Sequence, residues 1–121
     1  MKQPILIMKI NRGEIFWANL SPTIGSEISK TRPVLIVSND ANNEHADTVT
    51  ILPITSSTSR IYPFEVLVPS GQANLTSDSK VKANQIRTID KRRIGNKIGA
   101  LPPKLLGEIE QAILIHLDIT S

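Results

Sequence analysis

The strongest constraint on this chain is a pair of short apolar runs, Pro33-Val34-Leu35-Ile36-Val37-Ser38 and Thr48-Val49-Thr50-Ile51-Leu52-Pro53-Ile54. Each is rich in β-branched side chains, too short for a buried helix and of the right length for a buried strand. The residues between them are polar and turn-forming, and there are too few for a parallel crossover. The two runs are therefore expected to be antiparallel neighbours. Pro53, near the end of the second, marks a sheet edge or a bulge.

Glu14–Asn19, with Ile15, Phe16 and Trp17 at its centre, reads as a first strand, and residues 64–68 and 80–83 as two more. The expected count is five strands. Residues 20–31 and the Ser/Thr-rich residues 56–60 read as loops, and residues 41–47 as a turn. In the last segment Leu105, Ile109, Ala112, Ile113, His116 and Leu117 recur at helical spacing, with Pro102 or Pro103 in the first turn. The expected fold class is α+β, mainly β: a curled antiparallel sheet closed by a C-terminal helix.

A chain of 121 residues supports one core, so a single domain over residues 1–121 is expected. Aromatics are only 3% of the chain, which leaves Ile, Leu and Val to build that core. The absence of cysteine removes disulfides, thiolate nucleophiles and cysteine-ligated zinc. No His/Asp/Glu spacing resembles a metal site and no Gly-rich loop opens a helix, so no metal and no cofactor are expected. The apolar start at Ile5-Leu6-Ile7-Met8 is far shorter than the roughly 20 residues of a membrane span, so neither signal peptide nor anchor is expected. A cytoplasmic location fits. Residues 1–8 read either as a loose extension or as an extra strand turn.

Pairing the two central runs brings Arg32, which enters the first, beside Thr55, which leaves the second. Both then lie near the loop carrying Glu27. Arg32 precedes a proline, which biases its backbone to an extended form and fixes where its guanidinium projects. A planar fork of donors at a fixed position suits a phosphate; pairing with Glu27 is the plain structural alternative. Thr55 and Ser56 offer hydroxyls that either bond phosphate oxygens or make a turn. Glu27 matters only through these neighbours. His116 reads as a packing residue and His45 as a loop residue without a partner.

Lys80, Lys82, Arg87, Lys91, Arg92, Arg93 and Lys97 crowd together with Asp90 among them, within a formal net charge of +3. Such a cluster serves either as a polyanion surface or as a solvated face. Tyr62, beside Pro63 in a loop, is the candidate for stacking on a base, while Trp17 and Phe64 suit the core.

Taken in order, Arg12-Gly13-Glu14-Ile15-Phe16-Trp17, Asn19-Leu20, Ser21-Pro22, Gly25-Ser26-Glu27, Arg32-Pro33-Val34-Leu35-Ile36-Val37-Ser38-Asn39-Asp40, Pro53-Ile54-Thr55-Ser56, Phe64-Glu65-Val66 and Asn84-Gln85-Ile86-Arg87-Thr88-Ile89-Asp90-Lys91 resemble the MazF/PemK toxin family from Arg12 to Leu117. The resemblance implies an SH3-like (CcdB/Kid-type) barrel, a homodimer, sequence-specific cleavage of single-stranded RNA, and a cognate antitoxin with an acidic C-terminal tail. It also implies Arg32 and Thr55 as the catalytic pair, with Glu27 joining them, although Ile28 replaces the glutamine that commonly follows that glutamate. Ser56, Tyr62, Lys80, Lys82 and Arg87 are the expected RNA contacts. The mechanism expected is 2′-hydroxyl attack without a metal. A CcdB-like toxin that poisons gyrase without cleaving RNA is the alternative, but its C-terminal tryptophan motif is missing from Leu117-Asp118-Ile119-Thr120-Ser121. A non-catalytic RNA-binding barrel, a third reading, would need neither Arg32 nor Thr55.

Overall fold

The computed structural model describes residues 9–120, so the expected N-terminal extension lies outside the described residues. The strands are β1 (Glu14–Asn19), β2 (Thr31–Ile36), β3 (Thr48–Thr55), β4 (Glu65–Val68), β5 (Ser79–Lys82), β6 (Arg87–Asp90) and β7 (Ile94–Ala100). The helices are α1 (Asp40–His45) and α2 (Pro103–Leu117). The fold is thus mainly antiparallel sheet with a C-terminal helix. The central pair is antiparallel as expected, in the register Val34↔Pro53, Leu35↔Leu52 and Ile36↔Ile51. The sheet runs β4-β5-β3-β2-β1-β7, with β6 also paired to β3.

Seven strands replace the expected five. Strand β6 begins at Arg87 and precedes Lys91, Arg92 and Arg93, so its charge hid its alternation. Strand β7, Ile-Gly-Asn-Lys-Ile-Gly-Ala, has only two strong strand formers, Ile94 and Ile98, and is held by its bulged ladder to β1. The expected turn at residues 41–47 is largely α1, capped by the Asn39 side chain on the Asn42 amide. Trp17, assigned to the core, is 44% exposed: alternation sets it on the face of Ile15, but it lies outside the cluster that buries Ile15.

Side chains alternate between two apolar clusters, one on each face of the sheet. One gathers Ile15, Leu35, Leu52, Ile54, Val66 and Val81 under Ile109 and Ala112 of α2. The other gathers Phe16, Val34, Ile36, Val49, Ile51, Ile89 and Ile94. Ile89 lies on β6 and Ile94 on β7, strands that are not neighbours in the sheet order, so the sheet curls to bring them to one core.

The far end of the β2–β3 connection is held by a buried amide. Asn43 Nδ2 donates to Ser38 O at 2.9 Å, Ser38 Oγ bonds Asn43 Oδ1, and the Thr50 amide donates to Ser38 Oγ at 3.0 Å. Asn43 is 2% exposed, and both polar atoms of its side chain have partners in this knot.

Candidate active site

Continuing the β2–β3 register two residues beyond Val34↔Pro53 sets Arg32 opposite Thr55. Alternation gives the same answer for their faces. Arg32 shares the face of Val34 and Ile36, and Thr55 that of Val49 and Ile51, all four in the cluster away from α2. The register therefore sets Arg32 and Thr55 at one end of the sheet on one face. Arg32 Nε donates to Ser29 O at 2.9 Å, which anchors the guanidinium and leaves its terminal nitrogens for an anion. Among the described residues it forms no ion pair with Glu27, so the plain surface-pair reading of Arg32 fails. Thr55 Oγ1 accepts from the Ser57 amide at 3.2 Å, so its own hydrogen is available to a phosphate oxygen.

Glu27 is exposed, and its Oε1 accepts from the Ile24 amide at 2.8 Å within its own turn. It lines a cavity of about 330 Å³ with Ile24, Ser26, Asn84, Gln85, Ile86 and Arg87. Gln85 grips the backbone on both sides of Glu27: Oε1 accepts from the Ile28 amide and Nε2 donates to Ser26 O. The root of the same loop is held by arginines. Arg87 Nη1 donates to Leu20 O, and Arg93 Nη1 to the carbonyls of Asn19 and Ser21.

Ser56 is exposed at the start of the loop that follows β3. Tyr62, 42% exposed, stacks on Phe64 with centroids 5.3 Å apart and rings 3° from parallel. The Arg60 guanidinium lies over the Tyr62 ring, its Cζ 5.4 Å from the centroid, and Nη1 donates to the Tyr62 hydroxyl at 3.2 Å; Phe64 meets the His116 ring at 6.4 Å. His116 is itself exposed, so it packs against the loop and not into the core. Phe64 is only partly buried and serves the stack.

Lys80 and Lys82, expected to face RNA, converge instead on Glu65. Lys80 Nζ meets Glu65 Oε1 at 3.1 Å and Lys82 Nζ meets Oε2 at 2.9 Å, with the Glu65 side chain fully shielded from solvent. Burial pushes the Glu65 carboxyl pKa up, but bonds from the Tyr62 amide, Lys82 and Lys80 outweigh it and leave the group below its ordinary value. The rest of the basic cluster is also largely engaged. Arg92 pairs with Asp90, whose carboxyl is held down to about 2 by that guanidinium and the Arg92 amide, and Lys97 pairs with Glu14. Among the described residues only Lys91 of the seven makes no side-chain hydrogen bond. Arg87 and Arg93 bond carbonyls and, among the described residues, form no ion pair with a carboxylate.

Sequence reasoning gave no role to Gln85, Arg60 or Glu65. Glu65 carried the clearest signal, as the one acidic residue between Asp47 and Asp78, set in the apolar run Phe64–Val68. Among the described residues no three His, Asp or Glu side chains form a metal-holding group. Nor is any helix there long and apolar enough to cross a membrane.

The class this framework defines is a toxin of a type II toxin-antitoxin system: the family model described as PemK-like, MazF-like toxins matches residues 11–117, every strand and helix included. The chain belongs to that family. It is 37% identical over 117 residues to Endoribonuclease MazF9 of Mycobacterium tuberculosis, covering 93% of this chain and 99% of that protein. It is 34% identical over 113 residues to Endoribonuclease EndoA of Bacillus subtilis, covering 93% and 97%. Among solved structures it superposes on MazF of Deinococcus radiodurans with a TM-score of 0.81 at 28% identity, covering 92% of this chain and 98% of the other. A mycobacterial endoribonuclease in complex with its cognate antitoxin gives 0.77 at 26%, covering 93% and 98%.

Proposed function

We propose that this chain is the endoribonuclease toxin of a toxin-antitoxin pair, cutting single-stranded RNA at a short sequence without a metal ion. The observation that carries the reading is the shared sheet face of Arg32 and Thr55, which stand opposite each other with guanidinium and hydroxyl hydrogens unused. The named endoribonucleases it resembles support the reaction class.

RNA supplies its own nucleophile. The 2′-oxygen attacks the adjacent phosphorus, the bond to the 5′-oxygen breaks, and the products are a 2′,3′-cyclic phosphate and a 5′-hydroxyl. The protein must orient these groups and stabilise the added charge on the phosphorane. Arg32 is assigned that charge, since an arginine stays protonated at neutral pH and serves poorly as a base. Thr55 holds a phosphate oxygen by its hydroxyl, with Ser56 beside it. Glu27 receives the 2′-proton, its second carboxylate oxygen making no bond within the turn, and the departing 5′-oxygen takes its proton from water as the P–O bond breaks. The Arg60–Tyr62 pair receives a base, and Arg87 contributes positive charge. Lys80 and Lys82 are left out of the contact set because Glu65 holds them.

The functional form is a homodimer in the cytoplasm, and an acidic antitoxin tail competes with RNA for the same groups. That the mycobacterial relative was solved with its cognate antitoxin supports this partner. The gyrase-poisoning alternative has no observation in its favour.

The test is cleavage of a labelled transcript in EDTA by the wild-type chain and by Arg32→Ala and Thr55→Ala. Wild type is expected to cut, both variants to fail, and RNA methylated at the 2′-oxygen of the cleaved nucleotide to resist. Cutting of the methylated strand would exclude the proposed nucleophile.

A further inference from the structure

Burying one carboxylate between two ammonium groups is expensive, and apolar side chains of similar volume commonly serve stability as well or better. The bonds of this triad indicate a different use. Glu65 Oε1 accepts from the Tyr62 amide at 2.9 Å, and Lys80 Nζ donates to Arg60 O at 2.8 Å. The triad thus grips the main chain at the two residues whose side chains form the outer part of the stack, Arg60 and Tyr62. The base of the grip is rigid, because Glu65↔Lys82 are cross-strand partners and Lys80 is the partner of both Leu67 and Thr55. Residues 56–64 contain no strand or helix, so these bonds, with the Tyr62 O to Glu65 amide bond, fix where the aromatic platform stands relative to Thr55.

We infer that Glu65, Lys80 and Lys82 are positioning residues that hold the Arg60–Tyr62 platform at a set distance from Thr55, where it receives the base of a nucleotide flanking the cleaved linkage. This rests on the RNA-cleaving reading above. The triad itself touches no RNA. Its effect is on binding and selection of the strand, and the chemical step belongs to Arg32 and Thr55.

The experiment compares wild type with Glu65→Gln, Lys80→Met, the conservative Lys80→Arg, and a triple variant Glu65→Leu/Lys80→Met/Lys82→Met that replaces the buried charges with apolar volume. The substrate is a labelled single-stranded RNA chosen by mapping wild-type cuts in a random-sequence transcript. Tyr62 is the one tyrosine of the chain, so its ring signals in the NMR spectrum report the platform independently of activity. Glu65→Gln, Lys80→Met and the triple variant should raise KM by about tenfold or more while kcat stays within about threefold, and should shift the Tyr62 signals. Lys80→Arg should restore both. A folded triple variant with wild-type KM and unmoved Tyr62 signals overturns the inference, as does a fall in kcat at constant KM. If the wild-type chain cuts no RNA, the proposed function fails, and the Tyr62 signals still decide whether the triad sets the platform.

Discussion

Arg32→Lys separates charge from geometry at the proposed active site. In the structure Nε of the guanidinium is tied to Ser29 O, while its terminal nitrogens make no hydrogen bond among the described residues; in the proposed mechanism they grip the phosphate. A lysine keeps the charge but has a single nitrogen on a flexible stem, and cannot hold Ser29 and present a fork at once. One charge-assisted hydrogen bond to the phosphorane is lost, worth about 1.5–3 kcal/mol, which converts to roughly a 10- to 150-fold fall in rate. Arg32→Ala removes the charge as well and should cost about 10³-fold. Folding should suffer little, because a bond from the guanidinium to a partly exposed carbonyl contributes about 1 kcal/mol and shifts Tm by a few degrees. Single-turnover cleavage with enzyme in excess isolates the chemical step, and a thermal melt read by circular dichroism checks the fold. An Arg32→Lys rate within about threefold of wild type would refute the forked grip. An undiminished Arg32→Ala rate would remove the residue from the mechanism.

The paired state of Glu65 predicts a pH effect on stability. Its folded pKa is lowered, so its contribution is full above the unfolded value of about 4.3 and is lost as pH falls through the lower folded value. Denaturant titrations should show Glu65→Gln losing less stability than wild type between roughly pH 5 and pH 3, and parallel losses would contradict the pairing. In RNA binding, Lys91→Gln should reduce the salt slope by about 0.7, while Arg92→Gln should leave it nearly unchanged because Asp90 already holds that guanidinium; equal effects would count against the pairing. At Gly99 an added Cβ would press on the Ala73 carbonyl, so Gly99→Ala should lower unfolding free energy by about 1–3 kcal/mol in a urea titration. A neutral substitution would mean that the turn at Ala73 yields.

Strands β2 and β3 and helix α2 were legible because their apolar residues sit where local rules look for them, and β-branched runs and helical spacing need no partner to be read. The Arg32–Thr55 juxtaposition followed from one inference about chain direction. Strands β6 and β7 were hidden for the opposite reason. Arg87–Asp90 and Ile94–Ala100 are strands through the ladders they make with β3 and β1, and cross-strand ladders leave no local trace. The charges misled in the same way. Lys80 and Lys82 look like surface cations until Glu65, 15 and 17 residues away, is brought beneath them. Trp17 shows the limit of composition, since a lone tryptophan suggests a core while its position beyond the cluster around Ile15 leaves it exposed.

The knot of Ser38, Asn43 and Thr50 sits at the opposite end of β2 and β3 from Arg32 and Thr55, yet it pins the end of the ladder whose register sets those two opposite each other. Slipping β3 by a single residue along β2 would turn Thr55 toward the helix and set Ile54 or Ser56, according to the direction, opposite Arg32. A toxin built this way can be disarmed by a lesion in a corner that never meets RNA. Inactivating changes recovered from cells should therefore fall at Asn43 as well as at the hydroxyl itself, and the proteins they yield would be misaligned at one edge while still compact.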